Sequence, residues 1–169
     1  MLEVTIVSGL FVVLLLGITA MMTTTGWMHV RTELRSDAGT AASIALQHLT
    51  ADAREANDIT LVESYQIRIY YPVTDTNGHY NRFSTDTSRY IEYVRATANG
   101  TPSASGSYLW RKDESGAGRT LCENLTDFSA IRPTTKELQV TVEVTRTHGG
   151  FSSQSRLSQR VIYLRNPSI

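Results

Sequence analysis

Hydrophobic and polar positions follow three different rules along the chain. From Leu2 to Gly26 the pattern is almost purely apolar. The run passes through Phe11, Val12, Val13, Leu14, Leu15, Leu16, Gly17, Ile18, Ala20 and Met22, and neither Lys, Arg nor Asp occurs between Glu3 and Arg31. About 20 such residues suffice to span the hydrocarbon core of a bilayer as a helix. From Trp27 the apolar positions become Val30, Leu34, Ala38, Ala41, Ala45, Leu49, Ala53 and Ala56. Steps of three and four mark one face of a helix. Arg31, Glu33, Arg35, Asp37, Gln47, Asp52 and Arg54 are expected on the solvated face opposite. The stripe is mostly alanine, which predicts close approach of another element, expected to be a sheet.

Asn57-Asp58 ends the helix, and the period then falls to two. Residues 59–62 form a short strand, and residues 66–71 another that Pro72 stops. Asp75-Thr76-Asn77-Gly78 is turn chemistry. Strands follow over 90–95 and 108–111, separated by a loop over 99–107. After a turn over 114–118, residues 121–131 run on as one segment. Leu138, Val140, Val142 and Val144 alternate with Gln139, Thr141, Glu143 and Thr145, the pattern of a half-buried strand. His148-Gly149-Gly150 turns the chain into a last strand over 156–165, a hairpin partner for the Val140 strand. The fold class is α+β: one long N-terminal helix packed on an antiparallel β-sheet. Its parts are a membrane or core half of the helix (1–26), an amphipathic half on the sheet (27–57) and a β globular domain (58–169).

Glu3 is the anomaly of the first segment. A carboxylate next to hydrocarbon costs at least a few kcal/mol unless something pairs with it. Its expected partner is an α-amino group, its own or a neighbouring subunit's. A secretory signal peptide needs a basic start and a small-residue cleavage site. No Lys or Arg precedes Arg31, and Thr19-Ala20-Met21 is a poor site. A plain single-pass anchor accounts for the apolar run and leaves Glu3 without a role. A buried helix of a soluble core would not be so uniformly apolar.

Composition narrows the function. Lys+Arg and Asp+Glu are both 16, so no basic excess points to nucleic acid. Cys122 is the single cysteine and allows no intrachain disulfide. It reads as a small core residue rather than a nucleophile. His29, His48, His79 and His148 are scattered, without metal-ligand spacing to Cys122. The oxygen-rich Asp75-Thr76-Asn77-Gly78 does not fit an EF-hand loop. Neither a phosphate loop nor a Gly-x-Ser-x-Gly elbow occurs. The expectation is a protein that is not an enzyme and holds neither metal nor cofactor. Asn99-Gly100-Thr101 and Asn124-Leu125-Thr126 match the N-glycosylation pattern. Asn99 lies in the expected surface loop and is the candidate acceptor; Asn124 is expected within a strand.

Leu2-Glu3-Val4 followed by the long apolar run resembles the N-terminus of type IV pilins and type II secretion pseudopilins. Further on, Ile91-Glu92-Tyr93-Val94, then Tyr108-Leu109-Trp110-Arg111, then Leu121-Cys122-Glu123-Asn124-Leu125-Thr126-Asp127-Phe128 resembles J-type pseudopilins and W-type minor pilins. The closing Val161-Ile162-Tyr163-Leu164-Arg165-Asn166 resembles them too. The family Glu is fifth in the mature chain and here it is third. The resemblance then implies that two residues precede Met1, which would occupy a family aliphatic position. The family leader and N-methylation cannot be read from these residues.

The resemblance implies a single-pass precursor in the bacterial cytoplasmic membrane. Prepilin peptidase and the pilus assembly machinery would process and extract it into an extracellular filament or a periplasmic pseudopilus. Its partners would be itself, as a helical homopolymer, and other pilins. Glu3 and Met1 would set register, while Val4, Val7, Leu10, Phe11, Leu14 and Ile18 would pack the filament core. Family pilins often unwind midway along this helix. The candidate points are Gly17 and the poor helix former Thr23-Thr24-Thr25-Gly26; a continuous helix with tolerated glycines is the other reading. Two alternatives stand beside the filament-forming subunit: a minor pilin or pseudopilin that primes assembly or caps the tip, and a membrane-anchored extracytoplasmic binding module.

Overall fold

A computed structural model describes residues 2–74, 80–134 and 137–162. Helix α1 (Leu2–Glu55) is continuous over 54 residues. At 1.5 Å per residue it is about 80 Å long. Arg54 lies in its last turn, where a cation complements the helix C-terminus. The Asn57 amide then donates to the Tyr70 carbonyl at 2.8 Å, so the chain passes from helix directly into sheet pairing.

The strands divide into two antiparallel sheets. β1 (Asp58–Glu63), β2 (Gln66–Thr74), β3 (Tyr80–Ala96), β4 (Tyr108–Asp113) and β5 (Gly118–Glu123) form a five-stranded meander in chain order. β6 (Leu125–Thr134), β7 (Glu137–His148) and β8 (Phe151–Ile162) form a three-stranded sheet. The β7–β8 hairpin predicted from the Val140 alternation is present, in register from Glu137↔Ile162 to His148↔Phe151.

Several boundaries differ from the sequence expectation; β8, for one, begins at Phe151 rather than at 156, directly after the Gly149-Gly150 turn. Pro72 does not stop β2: the ladder slips on either side of it, a bulge that accommodates the missing donor. β3 begins at Tyr80 rather than at 90, because its polar first half pairs with the end of β2. Residues 121–131 are not one segment. Asn124 has φ 58°, a left-handed conformation that Asn tolerates better than most residues. There β5 ends and β6 leaves for the second sheet, held by Leu125 N–H to Ser107 O at 2.9 Å and Thr145 N–H to Asn124 O at 3.0 Å. Asn124 is therefore exposed at a junction and not inside a strand. The expected Asp75–Gly78 turn and the residues after 162 lie outside the described residues.

The core lies between the second half of α1 and the two sheets. Of the predicted stripe, Ala38, Ala45, Leu49 and Ala53 are fully buried on the helix and Ala56 just beyond its end, while Ala41 is only partly buried and Ala42 is fully buried instead. β7 and β8 run along this face, with parts of β2 and β5 beside them. Leu138, Val140, Val142 and Val144 point into it, as do Ile67, Ile69, Tyr93, Leu109 and Phe128. Alanines let the backbones approach, so added volume has nowhere to go. Ala45→Leu should destabilise the fold by about 1–3 kcal/mol. The neighbouring Ile44→Ala should change stability by less than about 0.5 kcal/mol, since exposed positions tolerate substitution. Denaturant unfolding of both variants in detergent micelles checks the contrast. Equal losses would mean that the stripe is loosely packed.

Candidate membrane and assembly segment

The first half of α1 leaves the globular domain. Residues 6–29 are exposed; the first contact with the globular domain is the Trp27 ring against Phe151, and partial burial begins at Val30. Leu10, Phe11 and Met21 are 66 %, 61 % and 74 % exposed. An 18-residue window here has a mean hydropathy of 2.3, with nothing in the chain burying it. An apolar surface of this extent is far larger than a soluble monomer leaves uncovered. The helix is long and apolar enough to cross a membrane.

Helical geometry arranges the assembly candidates. At 100° per residue, Val4, Val7, Leu10, Phe11, Leu14 and Ile18 fall within an arc of about 120°. Glu3 occupies the same arc, one turn before Val7 and two before Leu10. Val12, Val13 and Leu16 lie outside it and are also exposed. The segment is thus apolar all round, which suits lipid, with one face that also carries the acid. Met1 lies outside the described residues.

The threonines fit this environment because each satisfies its hydroxyl within the helix. Thr19 Oγ1 donates to Leu15 O at 2.8 Å, Thr23 to Ala20 O at 2.9 Å, Thr24 to Ala20 O at 2.8 Å and Thr25 to Met21 O at 2.8 Å. Such bonds to the preceding turn spare a polar group the cost of facing hydrocarbon. In the isolated chain the helix continues through Gly17 and Thr23-Thr24-Thr25-Gly26 without unwinding. Nothing lies within 4 Å of where a Cβ would stand at Gly9, Gly17 or Gly26. No contact within the chain thus calls for glycine at these positions.

Where the helix meets the globular domain, the sequence reading misplaced one residue. Asp52 was expected on the solvated face but is largely buried, with 16 % of its side chain exposed. Its Oδ2 accepts from the Tyr93 hydroxyl at 2.6 Å and from Arg111 Nε at 2.7 Å, and its Oδ1 from Arg111 Nη2 at 3.2 Å. Burial, followed by the bond to Asp52, pushes the Tyr93 phenol well above its ordinary range. Burial and the Asp52 charge push the half-buried Tyr71 phenol the same way. The bond to Asp52 holds Arg111 more firmly charged. The spacing carried a signal: Asp52 is seven residues after Ala45, two turns along the buried stripe. A second cluster lies on the five-stranded sheet, where buried Glu92 accepts from Gln66 Nε2 at 2.7 Å and Arg68 Nε at 2.8 Å. Both clusters pair their charges internally.

The remaining candidates are placed as follows. Cys122 is buried, and burial pushes its thiol up to about 11, so it packs as a core residue. Asn99 is exposed in the loop before β4, where its Oδ1 accepts from the hydroxyls of Thr97 and Thr101. Among the described residues no group of three His, Cys, Asp or Glu is placed to hold a metal ion.

Comparison with protein-family models, with curated proteins and with solved structures finds no match. The class defined by the fold is an α+β chain with a helix long and apolar enough to cross a membrane and a two-sheet globular domain packed on its second half.

Proposed function

We propose that the chain is a structural subunit of a type IV pilus-like extracellular filament. One observation carries the reading. The apolar half of α1 is uncovered on all sides from Ile6 to Met28, and helical spacing puts the acid of Glu3 in line with Val7, Leu10 and Leu14. In the membrane, lipid covers this surface. In the filament, equivalent helices replace lipid through a head-to-tail contact that repeats without closing. Dispersion and shape then hold the core, while Glu3 sets register. Its charge is tolerable there only where a neighbour's amine meets it, so a shifted subunit buries an unpaired charge.

Immunogold labelling of filaments sheared from native cells, with antibody to residues 58–169, tests this. Gold along the whole length is the expected result. Gold confined to tips, with filament number falling on deletion, would replace the reading with a priming or capping minor pilin. Unlabelled filaments and a monomeric membrane protein would replace it with an anchored extracytoplasmic binding module.

A further inference from the structure

The β7–β8 hairpin marks a level on the helix. β8 climbs alongside α1: Phe151 meets Trp27, Ser155 lies beside Gly39, and Gln159 accepts from Thr50 at 3.1 Å. The hairpin tip is thus the end of this sheet closest to the bare apolar half of the helix. Phe151 and Trp27 pack edge to face with centroids 4.9 Å apart, and the Arg31 guanidinium lies 5.6 Å from the Phe151 ring. The helix starts at Leu2, and its 25 steps to Trp27 rise about 38 Å, more than the roughly 30 Å hydrocarbon core and within the roughly 40–45 Å of a bilayer with its interfacial layers. A membrane centred on this segment therefore places Trp27 in its interfacial layer, where such an aromatic belongs, with Arg31 one turn further out among the headgroups. Phe151 shares that level and extends the aromatic surface sideways from the helix. Gly149 and Gly150, with φ of 56° and 83°, turn the chain there without bulk.

We propose that the tip formed by His148, Gly149, Gly150 and Phe151 is a second membrane contact, seated at the interface of a phospholipid bilayer beside Trp27. The globular domain then stands on two points, the helix and the hairpin, and its tilt over the membrane is fixed. The ring of Phe151 enters the boundary between headgroups and chains, and Arg31 beside it meets lipid phosphate. This inference rests on the helix crossing a bilayer and not on polymerisation, so a chain that forms no filament leaves it standing.

The test uses the full chain in vesicles of phosphatidylcholine and phosphatidylglycerol. Nitroxide labels are placed by His148→Cys and, as a reference, Ser115→Cys. Ser115 is exposed in the β4–β5 turn, four residues beyond the Arg111 that binds Asp52 near the other end of the helix. Cys122 can stay, being buried and weakly acidic. Flotation with the vesicles first establishes anchoring; a chain that does not float overturns the inference. The ratio of collisions with oxygen to collisions with a nickel chelate should be about threefold higher at 148 than at 115, as at a lipid interface. Adding Phe151→Asp should bring the 148 ratio down to that at 115. Equal ratios in the parent chain would overturn the proposal. So would protection at 148 that disappears when lipid is increased at constant protein, since that points to a second copy covering the tip.

Discussion

Replacing Glu3 by Leu is expected to cut filament yield at least about tenfold while the chain still enters the membrane. Insertion is driven by the apolar surface of residues 6–28, which the substitution only enlarges. In the proposed filament, assembly is different, because helical spacing puts the acid on a face with Val7, Leu10 and Leu14 and it would enter the packed core with them. Removing one partner of a buried charge pair leaves the other uncompensated and costs about 3–5 kcal/mol. Since every 1.4 kcal/mol is about a factor of ten, even half of that penalty at each added subunit would stop growth. Glu3→Gln should behave like Glu3→Leu, because an amide keeps the shape and loses the charge. Glu3→Asp keeps the charge on a shorter stem and should assemble slowly. Sheared-filament yield measured against membrane-fraction content separates the two steps. Normal yield from Glu3→Leu would remove Glu3 from the assembly mechanism.

The parts of this fold that were legible in the sequence are those in which one period runs unbroken. The three-and-four spacing of Ala38, Ala41, Ala45, Leu49, Ala53 and Ala56 gave the buried face, and all but the partly buried Ala41 are fully buried. The alternation through Leu138, Val140, Val142 and Val144 gave β7, its inward face and its hairpin partner. What escaped was decided by partners rather than by pattern. The first half of β3 is polar and is a strand only because β2 lies beside it. The break at Asn124 depends on a single backbone rotation that no run of residues announces. Asp52 was sorted by its charge, although its spacing put it on the stripe; Tyr93 and Arg111, which make its burial tolerable, are remote in sequence. The apolar half of α1 was legible in full as a surface. Its occupant lies outside the chain, so a single sequence specifies the face and its acid but not what covers them.

Asp52→Ala is expected to loosen the helix from the sheets and destabilise the fold by about 2–4 kcal/mol. Two charge-assisted bonds from Arg111 and one from Tyr93 disappear together, and such bonds contribute about 1.5–3 kcal/mol each when buried, less with partial solvent access. The truncation also leaves a guanidinium facing a phenol with no counter-charge. Arg111→Ala should cost a similar amount. The double variant should fall short of the sum by about 1–3 kcal/mol, because the two residues share one network. Glu143→Ala is the control: its carboxylate accepts from the exposed Gln154 Nε2 and faces Arg156, 65 % exposed at 3.6 Å, solvent-accessible partners worth about 1 kcal/mol. Denaturant unfolding in micelles measures all four.

Alkali reports on the same cluster. An ordinary phenol ionises near 10.0, and the fold raises Tyr93 and Tyr71 above it. The stabilisation this implies is complete below pH 10 and is lost as pH rises beyond it, because the unfolded chain releases those protons first. The part of the tyrosinate absorbance contributed by Tyr93 and Tyr71 should therefore appear late and coincide with unfolding. In Asp52→Asn the Tyr93 phenol loses the negative charge that helps to hold its proton, so the late phase should move to lower pH. If instead Asp52→Ala costs no more than Glu143→Ala and the late phase stays in place, the helix is held on the sheet by its alanine stripe alone. The Asp52 cluster would then select the register of the two elements without strengthening their contact.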